Sequence, residues 1–141
     1  KVITNMLAFI HLVAAGEALM LAKRGGLDLT KSFEAILNSS GNSFVHETES
    51  QLILNGSRDI GFTIDLVLKD IGLFQAIAER HGVPLELNPL MIDVFRDGAA
   101  RYGGDESSDE IIRRLEEATG RLITAPGFPA TKCARAGSRR K

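Results

Sequence analysis

The stretch Phe62-Thr63-Ile64-Asp65-Leu66-Val67-Leu68-Lys69-Asp70-Ile71-Gly72-Leu73 decides how this chain folds. Ile64, Val67, Leu68 and Ile71, continued by Phe74, Ile77 and Ala78, recur at the spacing of one helical face. That spacing predicts a helix over 63–81 whose apolar stripe faces a core, stopped by His81-Gly82-Val83-Pro84. Further helices are expected over 30–38, 43–54, 89–102 and 108–119, joined by short links. No stretch alternates with period two. The expected fold is all-α: one long helix over residues 2–24, then a compact multi-helix bundle.

The long helix is the unusual element. From Met6 to Ala22 only His11, Gly16 and Glu17 interrupt an apolar run. A membrane span would need about 20 such residues, and Glu17 near the middle would be costly in lipid. The run therefore reads as a helix buried among other helices or against a second subunit. Gly25-Gly26 ends it with residues that tolerate positive φ. Asn88-Pro89 predicts a capped start for the fifth helix, and Gly103-Gly104 its end. Ser107 and Glu110 have the spacing of a capping box. From Ala125 onward, Pro126, Gly127 and Pro129 break any helix, so 125–141 is expected to be an irregular basic tail after a helical domain over 1–124.

Composition limits the function classes. The 141 residues, 44% of them hydrophobic, suffice for one domain with a core and no more. The formal charge of −1 is uneven: Lys132, Arg135, Arg139, Arg140 and Lys141 leave residues 1–130 with 12 positive residues against 18 acids. An acidic body argues against nucleic-acid binding, which depends on clustered Lys and Arg. Cys133 alone excludes an internal disulfide and a thiolate metal site, and fits a cytoplasmic setting. No secretory signal pattern is present.

Individual polar residues carry modest chemistry. Lys1 and Asn5 stand one helical turn apart and project from one face. They are either a polar helix entry or part of a site. Lys69 could pair with Asp65 one turn earlier, an exposed ion pair worth about 0.3–0.5 kcal/mol. His46, Glu47 and Glu49 lie on one short helix but lack zinc-ligand spacing, so they read as a solvated polar face and no metal site is expected. His11 and His81 are isolated. The glycine doublets lack Gly-x-Gly-x-x-Gly spacing, so nucleotide would have to be held mainly by another domain.

Taken together, Lys1 and Asn5 at the start of the long helix, and Phe62 with Lys69-Asp70 in the later one, resemble the C-terminal helical domain of the β-hydroxyacid dehydrogenases. This is the family of 3-hydroxyisobutyrate dehydrogenase and tartronate semialdehyde reductase. Glu17-Ala18, Gly26-Leu27-Asp28 and Gly103-Gly104-Asp105 are similar to family features, and the resemblance runs from Lys1 to about Ala130. The family's Asn-Asn pair reads Thr4-Asn5 here.

The resemblance implies a 6-phosphogluconate dehydrogenase C-terminal-domain-like fold and reversible oxidation of a small β-hydroxy acid with NAD or NADP, bound mainly by an N-terminal domain that this sequence lacks. It implies Lys1 as catalytic acid/base, with burial shifting the lysine toward neutrality, and Asn5 as substrate-binding. Phe62, Lys69 and Asp70 are implied to bind or cover the cofactor. Assembly as a homodimer or homotetramer is implied too. The alternatives are a non-catalytic helical oligomerisation module, or a domain of an imine reductase or phosphogluconate-type dehydrogenase.

Overall fold

A computed structural model describes residues 1–129. Seven α-helices and one 3-10 turn follow in order: α1 Val2–Arg24, α2 Leu29–Leu37, α3 Phe44–Thr48, α4 Ser50–Asn55, α5 Ile64–Arg80, α6 Leu87–Tyr102, the 3-10 turn Ser108–Ile112, and α7 Arg113–Thr119. The fold is all-α, as expected. Among the described residues the only β-type pairing is an isolated bridge between Thr63 and Ser107.

The 3.6-residue period explains the packing. Ile64, Val67 and Ile71 of α5 are fully buried and meet Phe95 and Met91 of α6 and Phe9 and Leu12 of α1 in one core. Each such side chain contributes about 1.5–3 kcal/mol by leaving water. Ile77, assigned to the same stripe by spacing, is instead 47% exposed: Ala78 beside it is buried, so Ile77 lies on the open flank of α5. Thr63 caps α5, its hydroxyl accepting from the Leu66 amide. Asp28 does the same for α2 through the Lys31 amide.

Helix α1 runs through the centre but is covered on one side only. Phe9, Leu12, Gly16, Leu19 and Met20 are buried, while Ile3, Leu7 and Leu21 face outward at 63%, 46% and 74% exposure. It is long and apolar enough to cross a membrane by length and composition. Its inward face is nonetheless committed to α5, α3 and α2. Gly16 lets Ile112 approach α1 closely: an added Cβ would lie 2.2 Å from Ile112 Cδ1, which would have to shift.

Several local expectations are corrected. The single helix over 43–54 is broken at Glu49 into α3 and α4. His46 does not lie on a solvated face: it is 1% exposed, with ring nitrogens 3.0 Å from Ser50 Oγ and 3.0 Å from the Phe33 carbonyl. Burial holds its imidazole below the ordinary histidine range, against the opposing pull of the Phe33 carbonyl and Glu47. Asn88 is no cap either. It is buried inside α6 and donates to the Ile71 carbonyl and to Gln75 Oε1, both at 3.0 Å, tying α6 to α5.

The capping box at Ser107 does not form. Ser107 Oγ donates to the Arg58 carbonyl, and Glu110 turns to the Arg58 guanidinium. Among the described residues Asp65 and Lys69 make no ion pair. Of the expected tail, Ala125 donates its amide to the Leu54 carbonyl, and Phe128 packs edge-on against Phe33 with ring centroids 5.2 Å apart. Ala130 to Lys141, including Cys133, lie outside the described residues.

Candidate functional site

The site forms where the first turns of α1 meet the start of α5. Asn5 and Phe9 stand one turn apart on α1, and the Phe9 ring packs against Phe62 at 5.7 Å and against Phe95 at 6.0 Å. Phe62 is held by backbone bonds on both sides. Its carbonyl accepts from the Ser108 amide at 2.7 Å, while Ile64 and Asp65 donate to the carbonyls of Glu106 and Gly104. This clamp explains why the 104–108 loop returns to the head of α5.

A cavity of about 220 Å³ opens here, lined by Asn5, Ala8, Phe9, Glu49, Ile60, Gly61, Phe62 and Ser108. A larger hollow of about 300 Å³ between Arg113 and Leu122 shares no residue with it. The smaller one is the candidate, because Asn5 and Phe62, two of the five residues singled out from sequence, line it.

Asn5 Nδ2 donates to Asp70 Oδ2 at 2.6 Å, so Asp70, 5% exposed on α5, anchors the amide that lines the cavity. Lys69, its neighbour, points to solvent. Lys1 is exposed at the N-cap of α1, and its carbonyl accepts from the Asn5 amide and from Thr4 Oγ1. Asn5 and Phe62 thus share one cavity and Asp70 reaches it through Asn5. Lys1 and Lys69 lie outside its wall, and the described residues do not bury Lys1.

Sequence reasoning missed Phe9, Gly61, Ser108 and the cavity-facing place of Glu49. It also missed Arg58, which holds the loop carrying Ile60, Gly61 and Phe62. Arg58 has φ +52°, in the left-handed region, and its guanidinium spans Glu110 at 3.2 Å and Glu116 at 2.5 Å. The other oxygen of Glu116 accepts from the Ile123 amide at 2.7 Å, which fastens the chain after α7. A lone Arg between Ser57 and Asp59 gives no sequence signal for partners 52 and 58 residues away.

The cavity thus offers an aromatic face at Phe62 and a neutral amide at Asn5, while the Lys69 ammonium stands outside it. Among the described residues no group of three or more His, Cys, Asp or Glu is placed to hold a metal ion.

Residues 1–115 match the family described as "NAD-binding of NADP-dependent 3-hydroxyisobutyrate dehydrogenase". The chain is 30% identical over 127 residues to L-threonate dehydrogenase of Escherichia coli strain K12, covering 90% of this chain and 40% of that protein. It is 31% identical over 121 residues to 2-(hydroxymethyl)glutarate dehydrogenase of Eubacterium barkeri, covering 85% and 40%.

Two solved structures share its shape. 3-Hydroxyisobutyrate dehydrogenase from Salmonella typhimurium gives a TM-score of 0.74 at 29% identity, covering 81% of this chain and 40% of that one. The Mycobacterium tuberculosis enzyme of the same name, described with L-serine, gives 0.74 at 26%, covering 82% and 42%. The chain spans about 40% of the length of the curated relatives it matches. With the family match over most of its length and the same helical architecture in solved dehydrogenases, this chain belongs to the 3-hydroxyisobutyrate dehydrogenase-type family of β-hydroxyacid dehydrogenases.

Proposed function

We propose that this chain is the helical substrate domain of an NAD(P)-dependent dehydrogenase that reversibly oxidises a small β-hydroxy acid. The observation that carries the reading is the Asn5–Asp70 bond at the lip of a cavity walled by Phe62. It fixes a neutral donor beside an aromatic surface, as needed to orient a hydroxyl next to a nicotinamide. The bound NAD or NADP, held mainly by a dinucleotide-binding domain, supplies the hydride acceptor.

In the oxidative direction the carbinol carbon gives up its hydride to the nicotinamide, the hydroxyl oxygen becomes the carbonyl oxygen, and Lys1 serves as the base that takes the hydroxyl proton and passes it to solvent. Asn5 orients the substrate, Asp70 positions Asn5, and Phe62 with Lys69 covers the cofactor. Closure of the other domain over the α1 start would supply the burial that Lys1 lacks here. The test is cofactor reduction by the full-length enzyme with a panel of β-hydroxy acids, NAD and NADP supplied separately. Turnover of at least one acid supports the reading, and none with either cofactor overturns it.

Self-association is the second reading, and it is compatible with the first. Ile3, Leu7, Ala14, Ala18 and Leu21 form an exposed seam along α1 at spacings of four, seven, four and three residues. A homodimer or homotetramer would cover it. A cytoplasmic setting accords with the lone cysteine.

A further inference from the structure

We infer that Ser108 is a specificity-determining residue whose hydroxyl reads the substituent on the carbon next to the substrate carboxylate, so that the site takes α,β-dihydroxy acids in preference to β-hydroxy acids with an alkyl group there. The inference rests on the proposed dehydrogenase reading and names the substrate class of that same site.

Ser108 opens the 3-10 turn Ser108–Ile112 and is 2% exposed. Its backbone is fixed against the aromatic wall of the cavity. The Ser108 amide donates to the Phe62 carbonyl at 2.7 Å, and the Ile64 amide donates to the Glu106 carbonyl at 2.9 Å, so the two segments are stitched on both sides of Phe62. One residue earlier, Ser107 bridges to Thr63 and directs its hydroxyl to the Arg58 carbonyl at 2.5 Å. Ser108 has no such use within the fold. Among the described residues its hydroxyl forms no hydrogen bond, and it is the one hydroxyl among the eight residues that line the cavity.

Buried polar atoms are nearly always partnered, because leaving one unmatched forfeits its hydration for nothing. The space that can offer Ser108 a partner is the cavity itself. A serine hydroxyl gives one proton and accepts on two lone pairs, so another hydroxyl suits it in either direction. The wall divides the substrate by segment: Asn5 stands one turn from Lys1 on α1 and serves the reacting hydroxyl, whereas Ser108 comes from the loop beside Phe62 and meets the neighbouring carbon. A hydroxyl on that carbon finds a partner. A methyl of similar size would cover the serine oxygen with carbon, and sites that hydrogen-bond a substrate hydroxyl reject such analogues more strongly than apolar pockets sort alkyl groups.

The experiment measures kcat/KM in the full-length enzyme for glycerate and 3-hydroxyisobutyrate, with the enantiomers of each assayed separately and the better one of each compared. The two acids share the carboxylate and the reacting CH2OH group and differ by hydroxyl against methyl on the carbon between. The wild type should favour glycerate by about tenfold or more. Ser108→Ala should lower that ratio by about fivefold, chiefly through the KM for glycerate, as expected for one neutral hydrogen bond. The ratio does not depend on how much of a variant is folded, so damage to folding cannot imitate the result. A wild type that favours 3-hydroxyisobutyrate, or a ratio that moves by less than twofold in Ser108→Ala, overturns the inference while leaving the dehydrogenase reading intact; an equal fall for both acids would place the hydroxyl on the carboxylate they share. Failure of the wild type to oxidise these or any other β-hydroxy acids overturns both.

Discussion

The Asn5 side-chain amide of α1 donates to the Asp70 carboxylate of α5 at 2.6 Å across 65 residues of sequence. This bond joins the two segments on which the family resemblance rests. Asn5→Ala and Asp70→Ala should each destabilise the domain, and together cost less than their sum. A coupling of about 1–3 kcal/mol is expected for a bond to a charged group. Urea unfolding of the two single variants and the double variant measures it, and a coupling near zero would show that the bond is not held in solution.

Arg58 is buried between Glu110 and Glu116, and the Ser107 hydroxyl holds its carbonyl at 2.5 Å. Arg58→Ala leaves buried Glu116 without its cation and Glu110 with only the longer contact to Arg113, and should cost about 3–5 kcal/mol, read as a lowered urea midpoint. Substrate KM should rise as well, because Ile60, Gly61 and Phe62 follow directly in the chain.

Two helical glycines should respond in opposite directions to the same change. Nothing lies within 4 Å of a Cβ built on Gly72, so Gly72→Ala should stabilise α5 by about 0.5–1 kcal/mol through helix propensity. At Gly16 the new methyl would meet Ile112 Cδ1 in the core, where Ile112 is 1% exposed and must shift to another rotamer, so Gly16→Ala should destabilise by about 1–3 kcal/mol. Thermal melts of both variants check the signs.

Buried His46 should make stability fall in mild acid. Its folded pKa lies below its unfolded value of about 6.5, so below that pH the unfolded chain binds more protons than the folded one. The loss sets in as pH drops through the unfolded value and grows down to the folded one. His46→Gln should flatten the part of the stability profile that falls away below about pH 6.5, at a lower overall stability. An unchanged slope would show that other groups cause it.

The exposed α1 seam predicts association in the full-length enzyme. Sedimentation should give a dimer or larger species, and Leu21→Arg should shift it toward monomer without loss of helicity. A wild-type monomer would count against the self-association reading.

The helical framework was legible because it rests on periodicity: Ile64, Val67 and Ile71 recur as a core-facing stripe demands, and they are buried. What stayed hidden were polar side chains whose partners are distant in sequence. Asn88 before Pro89 reads locally as a cap, yet it bonds a carbonyl 17 residues away. His46 beside Glu47 reads as surface, yet the Phe33 carbonyl and Ser50 hydroxyl receive it in the core. The break at Glu49 has no glycine or proline to announce it, so the cavity wall it forms was equally unreadable. Asn5, Phe62 and Asp70 were singled out through the family resemblance; neither spacing nor composition predicts the bond between Asn5 and Asp70.

The most direct test of the account is steady-state turnover of a β-hydroxy acid by the full-length enzyme with Lys1→Ala. If Lys1 is the acid/base, kcat should fall by about 10²–10⁴ while KM changes little. Turnover within a few-fold of wild type would contradict the claim that this helical domain supplies the proton-transfer group.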